Sequence, residues 1–449
     1  MGETTVTIEK MITALLDERK FATLRDVLDT MAPADIAALL DDMPHERMPL
    51  LFRLLSKELA AEAFVEMDAD LQESLIRGFS DSELKEVVDE LYVDDAVDII
   101  EEMPANVVKR ILRQADPDMR KMINEILKYP DDSAGSIMTM EYVSFKPDLK
   151  VSEAIKNIRR SGVDKETVYT CYVTEKDRKL IGIVTVRSLL MADDDALISD
   201  IMEENVISVY TTDDREDVAN NFAKYDFLAL PVVDRENRLV GIVTVDDAID
   251  VIREEATEDI EKMAAITPTD KPYLKTSAFE LWKARIPWLL LLMLSSTFTG
   301  IIITHFENAL AATSVLAAYI PMLMGTGGNS GSQASVAVIR GLSLDEIEFS
   351  DIFRVLWKEI RVSVMSGVTL AAANFVKLIT FDRVGASVAL VVSLALAVTV
   401  FTAKLVGCSL PILSKKIGFD PAVMASPFIT TIVDAISLLI YFTFASALL

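Results

Sequence analysis

Cysteine and histidine are nearly missing from this 449-residue chain, which has two of each: Cys171 and Cys408, His45 and His305. Two cysteines cannot build a disulfide framework or a thiolate metal cage, and two histidines argue against a zinc or haem enzyme. No nucleophile is accompanied by a base, so enzymatic activity is not expected. Basic side chains are scarce relative to acidic ones, 44 Lys+Arg against 70 Asp+Glu, for a net charge of −26. Nucleic acid is therefore not an expected partner, because phosphate binding needs clustered Lys and Arg. The opening stretch MGETTVTIEKMITALLDERK lacks the basic start and apolar core of a signal peptide. The N-terminal part is accordingly expected in the cytoplasm.

A mean hydropathy of +0.32 fits poorly with such a charge. Dividing the chain after Arg285 reconciles the two. Residues 286–449 hold nine basic and nine acidic side chains, so residues 1–285 carry the whole −26. A strongly acidic soluble part is joined to a nearly charge-free apolar part. Uncharged runs predict five membrane helices, near 286–306, 310–338, 359–380, 384–412 and 421–447, each close to the roughly 20 residues that a bilayer requires. With the N-terminus inside, an odd count puts the C-terminus outside. The inner loops then hold Arg340, Arg354, Lys358, Lys415 and Lys416, and the outer loops only Arg383, in agreement with the positive-inside rule. Lys377 and Lys404 lie near predicted helix ends and are expected to snorkel. The expected location is a multi-pass protein of the plasma or inner cell membrane.

Two features break the apolar pattern. Asp434 lies about fourteen residues into the last predicted helix, where a lone carboxylate is costly unless it faces a wet cavity or a cation. A neutral Asp bonded to a neighbouring helix is the alternative. The second feature is PMLMGTGGNSGSQ (Pro321–Gln333), with Gly325, Gly327, Gly328 and Gly331. Such a run allows a broken helix whose carbonyls, with Asn329, Ser330, Ser332 and Gln333, line a passage; close helix packing is the alternative. Oxygen ligands without Cys or His favour a hard cation, Mg²⁺ or Ca²⁺. One Asp per chain is thin for a divalent ion. A homodimer placing two Asp434 side chains around one axis would supply a second.

In the soluble half, residues 1–130 read as amphipathic helices. IAALLDDMPHERMPLLFRLL (Ile36–Leu55) resembles VDIIEEMPANVVKRILRQA (Val97–Ala115), and a weaker copy lies around Met67 and Asp68. An α-solenoid-like stack is expected. From residue 131 the pattern changes. SIMTMEYVSFKPDLKVSEAIKNI (Ser136–Ile158) matches DIMEENVISVYTTDDREDVANNF (Asp200–Phe222), and LIGIVTVRSLL (Leu180–Leu190) matches LVGIVTVDDAI (Leu239–Ile249). This resembles a tandem CBS pair over 131–245, with copies at 136–198 and 199–250. In that family a G-h-h-T/S-x-x-D motif holds ribose and phosphate. The second copy has Thr244 and Asp247; the first has Thr185 and Arg187 but Ser188 in place of Asp. Those four residues, Thr185, Arg187, Thr244 and Asp247, are the candidate nucleotide contacts, and ATP is the cofactor they imply.

A connecting helix at 246–270 leads to the membrane part, 271–449. Asp247, Asp250, Glu254, Glu258 and Glu261 share one of its faces, with Glu255 and Asp259 beside it. Like charges at these spacings repel. Asp94, Asp95 and Asp98 of the helical domain, and Glu216 and Asp226 of the second CBS copy, are candidates to face them. Divalent cations bridging such carboxylates would act as a latch.

This order of parts, with PMLMGTGGNSGSQASVAVIRGL and DPAVMASPFITTIVDAISLLIYF, resembles the MgtE-type magnesium transporters over essentially the whole chain. The resemblance implies a multidomain fold: an all-α solenoid-like N-domain, an α/β CBS-domain pair and a transmembrane domain of five helices. It implies a homodimeric Mg²⁺ channel in the lipid bilayer, shut by high cytoplasmic Mg²⁺. It puts Asp434 at the pore, with Asn329, Gly325, Gly328 and Ser332 on the path and Asp420 as an accessory ligand. Regulatory carboxylates would include Asp95, Glu216, Asp226, Asp247, Asp250, Glu254, Glu255, Glu258 and Asp259. Ser332 stands where relatives often have Asn. A carrier of Co²⁺ or Mn²⁺, or a membrane-anchored sensor without transport, are the rival readings.

Overall fold

The computed structural model describes residues 2–162, 165–269, 271–306, 314–344, 346–424 and 426–448. These fall into two compact units, Met1–Ile252 and Arg253–Leu449.

In the first unit, residues 2–126 form ten helices of five to sixteen residues. Helices this short are not stable alone, and each is held by its buried apolar side. The repeated phrases become helix–Met–helix hairpins: Pro33–Asp41 with Met48–Phe52, Lys57–Val65 with Ala69–Gly78, and Val93–Glu102 with Ala105–Gln114. The linking Met43, Met67 and Met103 are all at most 7% exposed, so the repeat is a packing device. Polar side chains satisfy the helix ends. Ser80 and Glu83 form a reciprocal cap on Asp81–Val88, and Arg110 donates to the carbonyls of Ile76 and Phe79.

The CBS part contains two three-stranded sheets of the same topology. Ser144–Phe145 runs parallel to Thr170–Thr174, which is antiparallel to Leu180–Thr185. Val209–Tyr210, Ala229–Val233 and Leu239–Thr244 repeat this order. The copies exchange their leading segments. Thr139, from the phrase opening the first copy, bridges to Ile242 of the second, and Glu203, from the phrase opening the second, bridges to Ile183 of the first. Gly182 and Gly241 permit this. A Cβ at Gly182 would stand 2.8 Å from Met202 Sδ, and one at Gly241 2.6 Å from the Thr139 carbonyl. The expected division at 198/199 follows the chain, whereas each compact half draws strand contacts from both copies.

The second unit is helical. Ala278–His305, Phe349–Thr380, Ala386–Lys416 and Pro421–Leu448 are long and apolar enough to cross a membrane. The last contains a 3-10 turn, Pro421–Met424, before the helix Ser426–Leu448. The remaining expected span is the helix Ile320–Ser343; its predicted start, at 310, lies outside the described residues. At 24 residues it is about 36 Å long, enough to cross. Its polar run lowers its hydropathy, and helix neighbours rather than lipid cover that side: Gly327, Gly328, Ser330 and Gly331 are buried.

The glycine run does not break this helix, which is continuous from Ile320 to Ser343. Its carbonyls therefore stay in helical hydrogen bonds and are not bare passage ligands, a correction to that reading of Gly325 and Gly328. Close packing explains the glycines. A Cβ at Gly328 would stand 2.9 Å from Thr430 Cγ2, and one at Gly331 2.9 Å from Ile429 Cγ2. Gly407 meets the Gly331 carbonyl directly. Gly325 has nothing within 4 Å of a built Cβ and lies on the exposed side.

Candidate functional site

Asp434 sits within Ser426–Leu448, one turn after Thr430, the residue that packs on Gly328. Its Oδ1 is buried and has no hydrogen-bond partner among the described residues. For that oxygen, no bond to a neighbouring helix is present among the described residues. On Ile320–Ser343, Gly325 and Asn329 are exposed in the single protomer and Ser332 is partly so. Helical spacing places all three on one side. The opposite side is packed, so Gly328 stands at the boundary between them.

Lys377 is exposed and donates to Asp382 at 3.0 Å, as expected near a helix end. Lys404 does not snorkel. It lies well inside Ala386–Lys416, is 6% exposed, and has Glu359 Oε2 at 3.9 Å. A lysine counted as a helix-end residue is thus a buried charge.

The second acidic centre belongs to the first unit. The start of Val93–Glu102 places Asp94 and Asp95 in its first turn, where the helix dipole favours anions. The Val93 amide donates to Glu141 Oε2 at 3.0 Å, and so does the Thr139 hydroxyl, also at 3.0 Å. The Glu166 amide donates to the Glu141 carbonyl. Asp247 accepts the Thr244 hydroxyl. Burial first, then neighbouring carboxylates, drives these acids upward. Asp94, only 6% exposed, is raised well above the usual carboxylate range by burial and then by Asp247 and Asp95. Asp95 is pushed to about 7 by burial and then by Asp247 and Asp246. Glu166 is pushed to about 8 by burial and then by Asp95 and Asp247. Asp247 rises to about 6 through burial, although its bond from Thr244 works the other way. This is a crowded set of carboxylates that raise one another's pKa values. Among the described residues, no three acidic side chains stand in ready coordination geometry, so an ion would have to draw them together.

Raised carboxylate pKa values mean that the folded state holds protons which the unfolded chain releases. Stability from this cluster is present below the unfolded values near 4 and lost as pH rises through the folded values of about 6 to 8. Without divalent cations, Tm of the first unit should fall by roughly 5 °C or more between pH 5.5 and 8.5. Mg²⁺ at pH 8.5 should restore it. Calorimetry of the full chain in detergent checks this; a pH-independent Tm in chelator would contradict the cluster's energetics.

Not every predicted carboxylate joins this set. Glu216 and Asp226 stand at opposite ends of the helix Arg215–Tyr225, about 15 Å apart along its axis. Asp98 lies one turn past Asp94 on Val93–Glu102. Asp250 adds to the charge felt by Asp247. Glu254 and Glu255 lie further along the connecting helix Val245–Met263.

Glu258 and Asp259 belong to a separate group in the second unit. Lys262 Nζ is 2.5 Å from Glu258 Oε1 and 2.6 Å from Asp420 Oδ2. Burial opposes its charge, but these two carboxylates keep its pKa above the normal lysine value. Asp259 accepts the Ser343 hydroxyl at 2.9 Å. Glu261, assigned to the acidic face, instead accepts the Thr269 amide at 3.0 Å. Sequence reading missed Glu141, Glu166 and Lys262. The first two lie in irregular segments with no periodicity to flag them, but the i, i+4 spacing of Glu258 and Lys262 was available.

Of the nucleotide candidates, Thr185 accepts the Ser188 amide at 3.1 Å and its hydroxyl lies 2.9 Å from that of Ser188. Arg187 is exposed. Thr244 and Asp247 bond each other, and Asp247 faces the acidic cluster.

Comparison with known proteins adds an independent line. Residues 320–444 match the MgtE family, described as divalent cation transporters; 31–132 match the MgtE intracellular N domain; and 134–195 and 198–254 match CBS domains. The magnesium transporter MgtE of Thermus thermophilus is 38% identical, covering 98% of this chain and 99% of its own length. That of Bacillus subtilis is 33% identical, covering 97% and 96%. A crystal structure of the cytosolic domain of the Mg²⁺ channel MgtE in complex with ATP is 36% identical, with a TM-score of 0.52 over 54% of this chain and 99% of that one. The soluble part of a magnesium transporter is 31% identical, with a TM-score of 0.53 over 56% and 99%. Near-complete coverage by such relatives, together with a helical domain, a CBS pair and a glycine-packed helical membrane part, shows that the chain belongs to the MgtE family of magnesium transporters.

Proposed function

We propose that the chain is a Mg²⁺ channel that admits the ion down its electrochemical gradient and closes when cytoplasmic Mg²⁺ is high. The observation that carries this reading is Asp434, a membrane-helix carboxylate whose Oδ1 is buried without a partner among the described residues. A negative-inside potential favours entry of a 2+ ion by about 4.6 kcal/mol per 100 mV. Asn329 and Gln333 are exposed in the protomer, and amides at bilayer depth are poorly suited to lipid. A second copy facing this side would cover them and bring two Asp434 carboxylates to one axis, which supports a homodimer with a shared pore. The N-terminal domains are cytoplasmic, and five crossings put the C-terminus outside.

Regulation rests on the acidic groups. Mg²⁺ would bridge Asp94, Asp95 and Asp247, with Glu141 and Glu166 as further ligands, and would compete with Lys262 for Glu258 and Asp420. Ions stabilise the closed state only as far as they bind it better. The ATP-bound relative favours a nucleotide at the CBS pair as a modulator, with Thr185 and Thr244 near it.

The test is Mg²⁺ flux into proteoliposomes at a series of cytoplasmic-side Mg²⁺ concentrations, with Co²⁺ and Mn²⁺ as competitors. Saturable Mg²⁺ uptake that falls as cytoplasmic Mg²⁺ rises is expected. Uptake of Co²⁺ or Mn²⁺ alone would favour the other-cation reading, and no flux at all would favour a sensor.

A further inference from the structure

A buried ammonium is an odd constituent of a domain that passes cations. Lys404 is 6% exposed and forms part of the wall of a cavity of about 550 Å³. The rest of that wall is uncharged: Thr326, Asn329, Ser330 and Gln333 from one helix, and Ser366 and Thr369, with the apolar Met365 and Leu370 beside them, from the next. The first four recur at i, i+3, i+4 and i+7, a single stripe of the glycine-rich helix. Glu359 Oε2 is 3.9 Å from the Lys404 Nζ, beyond hydrogen-bond reach. That oxygen is buried without a hydrogen-bond partner among the described residues.

The size and lining suit a hydrated ion. Six waters at about 30 Å³ each fill roughly 180 Å³, well within the cavity. Hydroxyls and amides bind an ion's water shell without stripping it. Asn329 is shared between this cavity and the exposed side assigned to the pore. Conduction requires that an ion enter readily and also leave. An unshielded Glu359 would hold a divalent cation; Lys404 lines the cavity and Glu359, 3.9 Å from its Nζ, does not.

We propose that this cavity is a hydrated vestibule of the Mg²⁺ path, and that Lys404 is a specificity-determining residue which keeps Glu359 from capturing the passing ion. The inference rests on the Mg²⁺ channel reading. The pair leaves the vestibule nearly neutral, so that a divalent ion visits weakly.

Lys404→Met and Glu359→Gln should move the apparent KM for Mg²⁺ in opposite directions. Lys404→Met exposes the carboxylate: KM falls by roughly tenfold and maximal flux falls with it, because exit slows. Glu359→Gln leaves the ammonium uncompensated: KM rises by roughly tenfold. A pair with only a structural role would lower assembly without opposite KM shifts. Either single variant can fail to assemble because it leaves one buried charge alone. The charge-swapped variant, Lys404→Glu with Glu359→Lys, retains the pair and places the carboxylate on the cavity wall. Its KM should fall by roughly fivefold or more. Flux is read in proteoliposomes, with assembly followed by size exclusion. KM shifts of the same sign in the single variants, or an unchanged KM in the swap, overturn the proposal. Wild-type Mg²⁺ flux with unmoved variants overturns this inference alone; absence of wild-type flux overturns the transport reading beneath it.

Discussion

Asp434→Ala is expected to lower Mg²⁺ flux by about a hundredfold or more while the protein still assembles. Losing a charge that meets a 2+ ion in a low-dielectric passage removes an interaction of several kcal/mol. Assembly should persist because Oδ1 makes no hydrogen bond among the described residues, so truncation breaks none there. Removing a buried polar group without a partner relieves a desolvation penalty of about 1–3 kcal/mol, so thermal stability should hold or rise. Asp434→Asn separates charge from shape: it should lose flux nearly as fully. Flux assays in proteoliposomes paired with size exclusion read both outcomes. Normal uptake by the alanine variant would remove Asp434 from the ion path.

The second large effect concerns control. Asp95→Ala combined with Asp247→Ala should leave the channel conducting at cytoplasmic Mg²⁺ levels that shut the wild type. The concentration for half inhibition should rise by about tenfold or more, since the closed state loses two ligands and with them its preferential binding. Asp94, Glu141 and Glu166 remain, and their mutual repulsion still opposes a cation-free closed arrangement. Neutralising Asp247, Asp250 and Glu258 together should have the same sense, because it touches both acidic groups of the connecting helix. Flux measured against cytoplasmic-side Mg²⁺ decides; an unchanged inhibition curve in both variants would refute the latch.

Charge distribution and hydropathy made the division between the acidic and apolar halves legible, because both are sums over long stretches and need no partner to be evaluated. The CBS pair was legible for a related reason. Its repeated phrases encode the same strand–strand unit twice, and Gly182 and Gly241 stand at equivalent places in both copies. The exchange of leading segments was not. Both copies carry nearly the same phrase, so one dimension cannot say which strand each phrase will join. Near-equivalent surfaces compete, and chain geometry decides between them.

The candidate site divides in the same way. Asp434 could be singled out from sequence because a carboxylate in an uncharged run is costly wherever the helix faces. Lys404 could not: 19 residues into a 31-residue helix, it was placed near a helix end because the helix boundary was drawn too early. Gly325 to Gly331, read with Asn329, Ser330, Ser332 and Gln333, favoured a passage lined by a broken helix over a packed one. Only the positions of Thr430, Ile429 and Gly407 resolve them, since a glycine's use depends on what approaches it. Composition and periodicity alone thus determined that this chain has an acidic soluble part, a repeated α/β pair and a membrane part with a single deep carboxylate in its last helix. The tertiary structure alone decided that Asp94, Asp95, Glu141, Glu166 and Asp247 share one cluster with Asp94 buried at its centre, and that Lys404 lines a cavity with polar side chains. Local pattern sets which side of an element is apolar, whereas electrostatic meeting of distant residues depends on distances that the chain acquires only on folding.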